Sequence, residues 1–271
     1  MIIDAFVHCG RKKFLPVAAL EDSMAAAGID GCLLVQHMGE FDNSYLASIV
    51  QRAPDRFQAI ALVDTRRKDA PRHLDALLSG QAHSMALAGV RMTPAMIGQS
   101  RECLHVLDMR KATLVLHLPN GLGCHLDLVV RIVEEFPHVT VYVPHLGWPV
   151  AGREASRGWH TAVRTLGDHR QVVFGLSCIG DFSQTRFPHQ DVWPYLRHVV
   201  ATVGAERTVW ASDYPLIHSI GDYLGLFTGT ALDVDVDQRN AILSGTALRC
   251  WGFTSQEHCG RRIEPHASLD Q

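Results

Sequence analysis

The sequence predicts an α/β protein of the (β/α)8 TIM barrel class, formed by a single domain over residues 1–253. The first observation is length, because the chain has 271 residues and such barrels commonly use about 200–250 residues as one domain. The second is an alternation of short β-branched runs with longer amphipathic stretches, which continues almost to the end. The third is that no composition break or Gly/Ser linker interrupts this alternation. We therefore expect one continuous domain.

Eight apolar runs are the predicted strands, and most are unbroken, as expected of parallel strands covered on both faces. These runs are Ile2–Val7, Gly31–Gln36, Phe57–Val63, Ala86–Met92, Thr113–His117, Val139–Pro144, Gln171–Leu176 and Thr208–Ala211. Parallel neighbours require crossover connections, and the segments between the runs have apolar residues at helical spacing. The predicted crossover helices are Ala18–Ala27, Asn43–Ala53, Ala70–Leu78, Arg101–Met109, His125–Phe136 and Val192–Val203. An open doubly wound sheet is the alternative architecture.

The end of the sequence predicts two further helices and a tail. Asp237–Leu243 and Thr246–Trp251 have the pattern of closing helices after the last strand. Residues 254–271 are polar with few large apolar side chains. We expect this tail to be flexible.

Composition excludes several classes of function. Hydrophobic residues make up 47% of the chain and charged residues 20%, with a net charge of −3, which indicates a folded globular protein that acts on a small molecule rather than on nucleic acid. No run of about 20 apolar residues is present, so no membrane partner is expected. The seven cysteines are scattered without a CxxC pair, and no secretory pattern is recognisable. We expect a cytoplasmic, reduced protein, and the sequence leaves a homo-oligomer open.

Polar residues at the strand ends are the candidate site, because a barrel of this kind has its active site at the C-terminal ends of its strands. His8, Arg91, His117, His145 and Asp213 each end or follow a predicted strand. Imidazole and carboxylate are ligands of Zn²⁺ and similar ions. His8, His117 and Asp213 could thus hold a divalent metal, with zinc favoured. Asp213 could also take a proton from an activated water.

Each of these residues also has an ordinary structural interpretation. A single strand-end histidine is more often a hydrogen-bonding structural residue than a ligand. Arg91 could bind a substrate carboxylate through its planar fork, or pair with a neighbouring acidic side chain. Trp148 and Tyr214 could form the walls of a pocket for a flat ring, although packing in the core is the commoner role of such aromatic residues. The motifs of serine hydrolases, dinucleotide-binding proteins and P-loop proteins are absent from the sequence.

Several motifs occur in an order that resembles a known family. They are Ile2-Ile3-Asp4-Ala5-Phe6-Val7-His8, Asp55-Arg56-Phe57, Gly89-Val90-Arg91, His117, His145-Leu146-Gly147-Trp148-Pro149, Trp210-Ala211-Ser212-Asp213-Tyr214-Pro215 and Ile242-Leu243-Ser244-Gly245-Thr246-Ala247. With these motifs the chain resembles the amidohydrolase superfamily over about residues 1–253, in its amidohydrolase-2 branch. That branch includes hydrolases, lactonases such as those acting on 2-pyrone-4,6-dicarboxylate, and decarboxylases such as those acting on aminocarboxymuconate semialdehyde.

The first strand departs from the family pattern. In the family it ends in Asp-x-His-x-His, whose two histidines ligate a metal; here Asp4 and His8 match, but Phe6 replaces the first histidine. A phenyl ring offers no lone pair, so at most three of the family's protein ligands remain and metal binding is questionable. The alternative is a metal-free mechanism, in which Asp213 deprotonates a water directly.

The resemblance implies a hydrolase that adds water to an ester, lactone or amide of a small carboxylated substrate, with cyclic substrates among the candidates. Asp213 would be the general base, with His117 and His145 as the other catalytic residues. Arg91, Trp148, Tyr214 and Phe6 are the predicted substrate contacts. One alternative is non-oxidative decarboxylation of an aromatic or unsaturated acid. Another is a barrel that has lost its catalytic activity and binds a ligand, an alternative motivated by Phe6.

Overall fold

The computed structural model describes residues 1–149, 155–217, 219–229 and 231–253, apart from the side chains of 155–157. Eight strands form one parallel sheet in the order of the sequence, each paired with the next. They are β1 Ile3–Val7, β2 Gly31–Val35, β3 Phe57–Ala61, β4 Gly89–Met92, β5 Thr113–Leu116, β6 Thr140–Val143, β7 Val172–Leu176 and β8 Thr208–Trp210. No boundary differs from the predicted one by more than three residues.

The sheet closes on itself between its last and first strands. A parallel bridge joins Val7 to Tyr214. The His8 amide donates to the carbonyl of Tyr214 at 2.7 Å, and the Asp213 amide donates to the carbonyl of Phe6 at 3.0 Å. These bonds hold the end of β1 beside the segment that follows β8, and they confirm the predicted barrel over the open sheet. The bounds of the domain, 1–253, stay a prediction.

Helices cover the outside of the barrel. They are α1 Val17–Ala27, α2 Ser44–Arg52, α3 Ala70–Leu78, α4 Pro94–Gln99, α5 Glu102–Arg110, α6 Leu126–Glu135, α7 Ala155–Gly167, α8 Ile179–Phe182, α9 Trp193–Val203, α10 Ile220–Thr228, α11 Val236–Asn240 and α12 Thr246–Trp251. The six predicted crossover helices are present with ends within one residue of the prediction. The first closing helix is α11 continued by a π-helical turn, Ala241–Gly245.

Four helices were not predicted: α4, α7, α8 and α10. The case of α10 shows why, because Gly221 and Gly225 lie inside it and glycine is a poor helix former. Tertiary packing overrides this preference, since Tyr223, Leu224 and Phe227 are buried. The Ser219 hydroxyl also caps the helix by accepting from the Asp222 amide at 3.2 Å.

The core has two layers, one between strands and helices and one inside the barrel. The interior layer includes Ile3, Phe6 and Tyr142. At the N-terminal end of the barrel it is closed by α12, whose Trp251 indole donates to the Thr113 hydroxyl at 3.1 Å. The candidate functional side chains lie at the opposite end, where the strands terminate.

Three further predictions concern the C-terminal tail, membrane spans and the cysteines. The predicted tail, 254–271, lies outside the described residues. Within the described ranges, every helix is too short or too polar to cross a lipid bilayer. The six described cysteines are free thiols.

Candidate active site

Three neighbouring strand ends meet at one point of the barrel mouth. His145 follows β6, Cys178 follows β7 and Asp213 follows β8, and all three are buried. One ligand atom from each side chain lies within 4.8 Å of the others. The backbone φ angles are +56° for His145, +58° for Cys178 and +67° for Asp213. This left-handed conformation, which costs non-glycine residues roughly 1–2 kcal/mol each, turns the chain sharply at each strand end.

Asp213 has the properties of a base that works near neutral pH. Burial raises the pKa of its carboxyl to about 7, although a hydrogen bond from Cys178 and the charge of Arg91 oppose the rise. Its Oδ1 is buried and has no hydrogen-bond partner. The nearest imidazole nitrogen recorded is His8 Nε2, 3.9 Å from that oxygen. The carboxylate therefore has a buried oxygen that is free to accept a hydrogen bond.

The tautomer of His8 follows from its single hydrogen bond. His8 Nδ1 lies 2.6 Å from the carbonyl oxygen of Val35, and because a carbonyl only accepts, Nδ1 carries the hydrogen. Burial, reinforced by Arg91, lowers the pKa of His8 to about 3. The ring is thus neutral at pH 7, and Nε2 has an unshared lone pair toward Asp213. Phe14 stacks on the same ring with centroids 4.9 Å apart.

Arg91 and His117 form a second pair beside this group. Arg91 Nη2 donates to His117 Nδ1 at 3.0 Å, and Nη1 donates to the carbonyl of Gln36 at 3.3 Å. Burial lowers the pKa of Arg91 to about 10, so the guanidinium stays charged at neutral pH. Its Nε is buried without a partner, and in the described part of the chain no carboxylate lies within 4.0 Å of it. The interpretation of Arg91 as one half of a structural ion pair has no support here.

His117 is neutral in this arrangement. Burial and the neighbouring charge of Arg91 lower its pKa to about 4. Since the arginine can only donate, His117 Nδ1 accepts and its hydrogen is on Nε2. His117 is half-buried, so this N–H can act as a donor at the mouth.

His145 is fixed by Ser177. The Ser177 hydroxyl oxygen accepts from the His145 amide at 3.1 Å and lies 2.9 Å from His145 Nδ1. Burial, with the charge of Arg91, keeps the pKa of His145 well below its ordinary value. All three candidate histidines are therefore neutral at pH 7.

Phe6 fills the space between these imidazoles. Its ring is fully buried, with its centroid 4.6 Å from that of His145 and 5.1 Å from that of His8, both edge to face. The guanidinium carbon of Arg91 lies 5.5 Å from the same ring centre. The Phe6 ring thus fills the part of the site beside the end of β1. The predicted role of Phe6 in binding substrate stays a prediction.

The two other predicted aromatic contacts differ in position. Trp148 is half-buried and packs edge to face on His145, with centroids 5.6 Å apart, and on Phe182 at 5.0 Å. Tyr214 lines a cavity of about 260 Å³ between α1 and α10, on the outer side of the closing junction. Trp148 therefore lies against the catalytic candidates, and Tyr214 lies at least partly away from them.

Sequence reasoning missed Cys178 and Ser177. Both follow Leu176, the last residue of β7, so the rule that identified the other strand ends would have found them. Neither was chosen because serine and cysteine are also common packing residues. Phe14, which stacks on His8, was also missed, because the loop after β1 has no pattern that places it over His8.

A second combination of donors at the mouth also fits a zinc-class cation. An imidazole, a thiol and a carboxylate are all zinc ligands, and the unpartnered Oδ1 of Asp213 would gain a partner from a cation. The group of His145, Cys178 and Asp213 shares only Asp213 with the predicted set of His8, His117 and Asp213. His117 Nδ1 is already bonded to Arg91. The predicted set itself stays a prediction.

Comparisons with known proteins agree on one family. A family model described as amidohydrolase, of the amidohydrolase-2 type, matches residues 8–253. An L-fucono-1,5-lactonase of Burkholderia ambifaria is 26% identical over 222 residues, which cover 75% of this chain and 72% of that protein.

Solved structures share the fold at low identity. A protein described as a 2-pyrone-4,6-dicarboxylic acid hydrolase from Pseudomonas putida has a TM-score of 0.79 at 23% identity, over 94% of this chain and 98% of its own. A 5-carboxyvanillate decarboxylase from Sphingomonas paucimobilis has a TM-score of 0.69 at 13% identity, over 93% and 99%. These two structures support the barrel. The chain belongs to the amidohydrolase family, in its amidohydrolase-2 branch, and its relatives include a lactonase.

Proposed function

We propose that the protein is a hydrolase that adds water to an ester, lactone or amide of a small carboxylated substrate, with a cyclic lactone as the first candidate. The observation that carries the proposal is the buried carboxyl of Asp213, with a pKa of about 7 and one oxygen without a partner. Similarity to a sugar lactonase over most of both chains supports the choice of a lactone.

In the proposed reaction Asp213 is the general base. A water beside its free Oδ1 gives up a proton as the oxygen attacks the substrate carbonyl carbon. The carboxyl then returns this proton to the leaving oxygen or nitrogen when the carbon–heteroatom bond breaks. A pKa near the working pH suits both transfers, because the group can bind and release the proton with little cost.

The neutral imidazoles stabilise the tetrahedral intermediate as hydrogen-bond donors. The Nε2–H of His117 is fixed by the bond from Arg91 to Nδ1. Ser177 accepts from the His145 amide, so its own hydrogen can go to His145 Nδ1 and leave the ring hydrogen on Nε2. Two N–H donors held before the reaction begins stabilise a developing oxyanion without reorganisation.

Arg91 is the proposed anchor for the substrate carboxylate. It remains charged at neutral pH, and its buried Nε–H has no partner. A carboxylate bound there would receive a charge-assisted hydrogen bond. Trp148, beside His145, would form one wall for the substrate ring. A zinc-class cation bound at the mouth would lower the pKa of its water.

The test is a substrate panel with a matched pair of variants. Sugar lactones, 2-pyrone-4,6-dicarboxylate and simple aryl esters are assayed for acid release with the wild type, Asp213→Asn and Asp222→Asn. Asp222 lies in the first turn of α10, and its side chain is exposed. We expect Asp213→Asn to lower kcat by about 10²–10⁴-fold, as for loss of a general base, and Asp222→Asn to change it little.

Other results of the panel would replace the proposal. Carbon dioxide release from aromatic or unsaturated acids, without lactone or ester cleavage, would support decarboxylation. Tight binding of a carboxylated ligand without any turnover would support a barrel that has lost its activity. Full activity of Asp213→Asn on a cleaved substrate would remove Asp213 from the mechanism.

A further inference from the structure

We propose that His145, Cys178 and Asp213 form a binding site for a zinc-class divalent cation, with the Cys178 thiolate as one ligand. The site lies at the ends of β6, β7 and β8 rather than at the two first-strand positions of the family pattern, one of which is Phe6. It uses the same carboxylate and the same imidazole as the proposed hydrolysis, so a bound cation would replace the roles of free base and N–H donor given there to Asp213 and His145. The site does not depend on that reaction.

The geometry provides three donors from three different strands. Their ligand atoms lie within 4.8 Å of one another, and all three residues are buried. In a tetrahedral zinc site, with bonds of about 2.0–2.3 Å, ligand atoms are roughly 3.3–3.8 Å apart. Small side-chain rotations would therefore bring the three donors onto one cation, and an open fourth position would remain for water or substrate.

The unpartnered oxygen of Asp213 is a position where a cation would bind favourably. Asp213 Oδ1 is buried without a hydrogen-bond partner, on a side chain only 4% exposed. A buried carboxylate oxygen without a partner destabilises the folded state. His8 Nε2, which has a lone pair and no hydrogen, faces the same oxygen from 3.9 Å. Both atoms are acceptors, and a cation between the strand ends would satisfy the carboxylate where a hydrogen-bond donor is lacking.

The backbone at all three ligands has the same left-handed conformation. His145, Cys178 and Asp213 each have a positive φ, which histidine and aspartate adopt more often than most non-glycine residues and which is uncommon for cysteine. Strained residues persist where the surrounding structure holds them, and they cluster at functional sites. Here the shared conformation turns three successive strand ends so that imidazole, thiol and carboxylate meet.

Phe6 explains the displacement from the first strand. Its ring lies against both His8 and His145, and it fills the region between them with hydrocarbon. A cation is therefore excluded from that side, and Cys178 provides a donor in place of the missing histidine. A sulfur ligand also shifts preference toward zinc and other soft cations and away from magnesium or calcium.

Binding would release the thiol proton of Cys178 and, in molecules whose Asp213 carboxyl is protonated, the proton of that carboxyl as well. The Cys178 thiol loses its proton to solvent as the metal–sulfur bond forms, while His145 binds as the neutral imidazole and Asp213 as the carboxylate. No electron is transferred. Affinity should therefore increase as pH rises.

The test uses Co²⁺ as a spectroscopic substitute for zinc. The full-length protein is stripped with a chelator and titrated with Co²⁺, and bound metal is also counted by elemental analysis after loading with Zn²⁺. We expect one equivalent of metal and a near-ultraviolet thiolate-to-cobalt charge-transfer band. Cys178→Ser should abolish the band and weaken affinity by at least the roughly 10–100-fold that loss of an outer partner costs. Cys124→Ser, at an exposed thiol, is the matched control and should keep both.

Each outcome decides the proposal. A band that survives in Cys178→Ser, or Co²⁺ binding without any band, would assign the metal to other residues. No binding at micromolar Co²⁺ would refute the site. If Cys178→Ser does not fold, the loss of affinity is measured with Asp213→Asn, and the band of the wild type still reports the thiolate. Hydrolysis by metal-free protein would uphold the proposed function alone, and a metal band without hydrolysis would uphold this site alone.

Discussion

The two ends of the barrel differ in how their polar groups are used. At the N-terminal end a cavity of about 840 Å³ is lined by several cationic side chains, among them Arg207 and Arg249. These two are bonded to backbone carbonyls, Arg207 to Gly167 and His169 and Arg249 to Glu206. At the mouth, Arg91 Nε and Asp213 Oδ1 are buried without partners. The larger cavity therefore belongs to the end whose arginines stabilise the fold.

This difference teaches that cavity size alone does not locate chemistry. Groups whose hydrogen bonds are complete have little left to offer a ligand, whereas buried groups without partners gain most from one. At the mouth, the buried groups without partners are accompanied by left-handed backbone at three strand ends and by side chains with raised or lowered pKa values. Such a cost is tolerated where function requires it.

The largest effect we expect outside Asp213 concerns Arg91. Arg91→Lys removes the planar fork and one charge-assisted hydrogen bond, each worth about 1.5–3 kcal/mol, so KM for a carboxylated substrate should rise about 10–100-fold. An uncharged lactone of similar size is the control and should be affected much less. Equal losses on both substrates would show that Arg91 acts by positioning His117 rather than by holding a carboxylate.

The pH profile is the next test of the mouth. Burial raises the pKa of Asp213 to about 7, and a general base works only when ionised. Activity should therefore fall as pH decreases below 7, by about 50-fold between pH 7 and pH 5. The histidines are already neutral across this range, so they add no second limb. A kcat/KM profile that is flat from pH 5 to pH 8, in protein shown by circular dichroism to be folded, would exclude this base.

A smaller effect, on stability, should appear at Asp4, which lies below the mouth. Burial raises its pKa to about 7 from 3.8, so the folded state holds a proton that the unfolded state has lost, and stability decreases as pH rises from about 4 to 7. Asp4→Asn keeps an oxygen for the Ser212 amide, which Asp4 Oδ1 now accepts at 2.8 Å. Its stability relative to the wild type should improve by up to about 1.4 kcal/mol per pH unit over that range.

Urea unfolding of both proteins at pH 5 and pH 8 measures this difference. Asp222→Asn serves again as the control at an exposed carboxylate. If the difference in stability between the wild type and Asp4→Asn does not change with pH, Asp4 is ionised in the folded protein. Asp4 would then not be a buried group that destabilises the fold at neutral pH.

The smallest effect on activity is expected at the N-terminal end. Arg207→Ala removes hydrogen bonds to the carbonyls of Gly167 and His169, and should lower the free energy of unfolding by about 1–3 kcal/mol. Turnover should change by less than about twofold, because this end of a barrel contributes to stability. A large loss of kcat at unchanged stability would contradict the division between the two ends.

The sequence predicted much of the fold because periodicity reports burial directly. Most of the strands β1 to β8 are nearly unbroken apolar runs, as expected of parallel strands covered on both faces, and α6 has a stripe of Val129, Ile132 and Val133 buried on one face. Helix α10 was not predicted because its two glycines lower the helix propensity of a segment that tertiary packing nevertheless holds in a helix. The family resemblance, likewise predicted, is confirmed by the family model.

The candidate site was predictable in its location but not in its partners. A strand-end rule indicated His8, Arg91, His117, His145 and Asp213, because topology alone brings strand ends together. The pairings inside the site depend on the side-chain directions of residues that are far apart in the chain. These pairings are His117 with Arg91, His145 with Ser177, and Asp213 with Cys178. No local pattern encodes these directions.

By itself the amino-acid sequence determined the barrel and its family and indicated the end at which we propose the chemistry, since these depend on hydrophobic period and on the order of strands. Only the tertiary structure decided which imidazoles are neutral, which oxygen lacks a partner and where hydrocarbon fills the site. These properties depend on desolvation and on distances of a few ångströms between residues that the sequence separates by more than a hundred positions, as for Phe6 and His145.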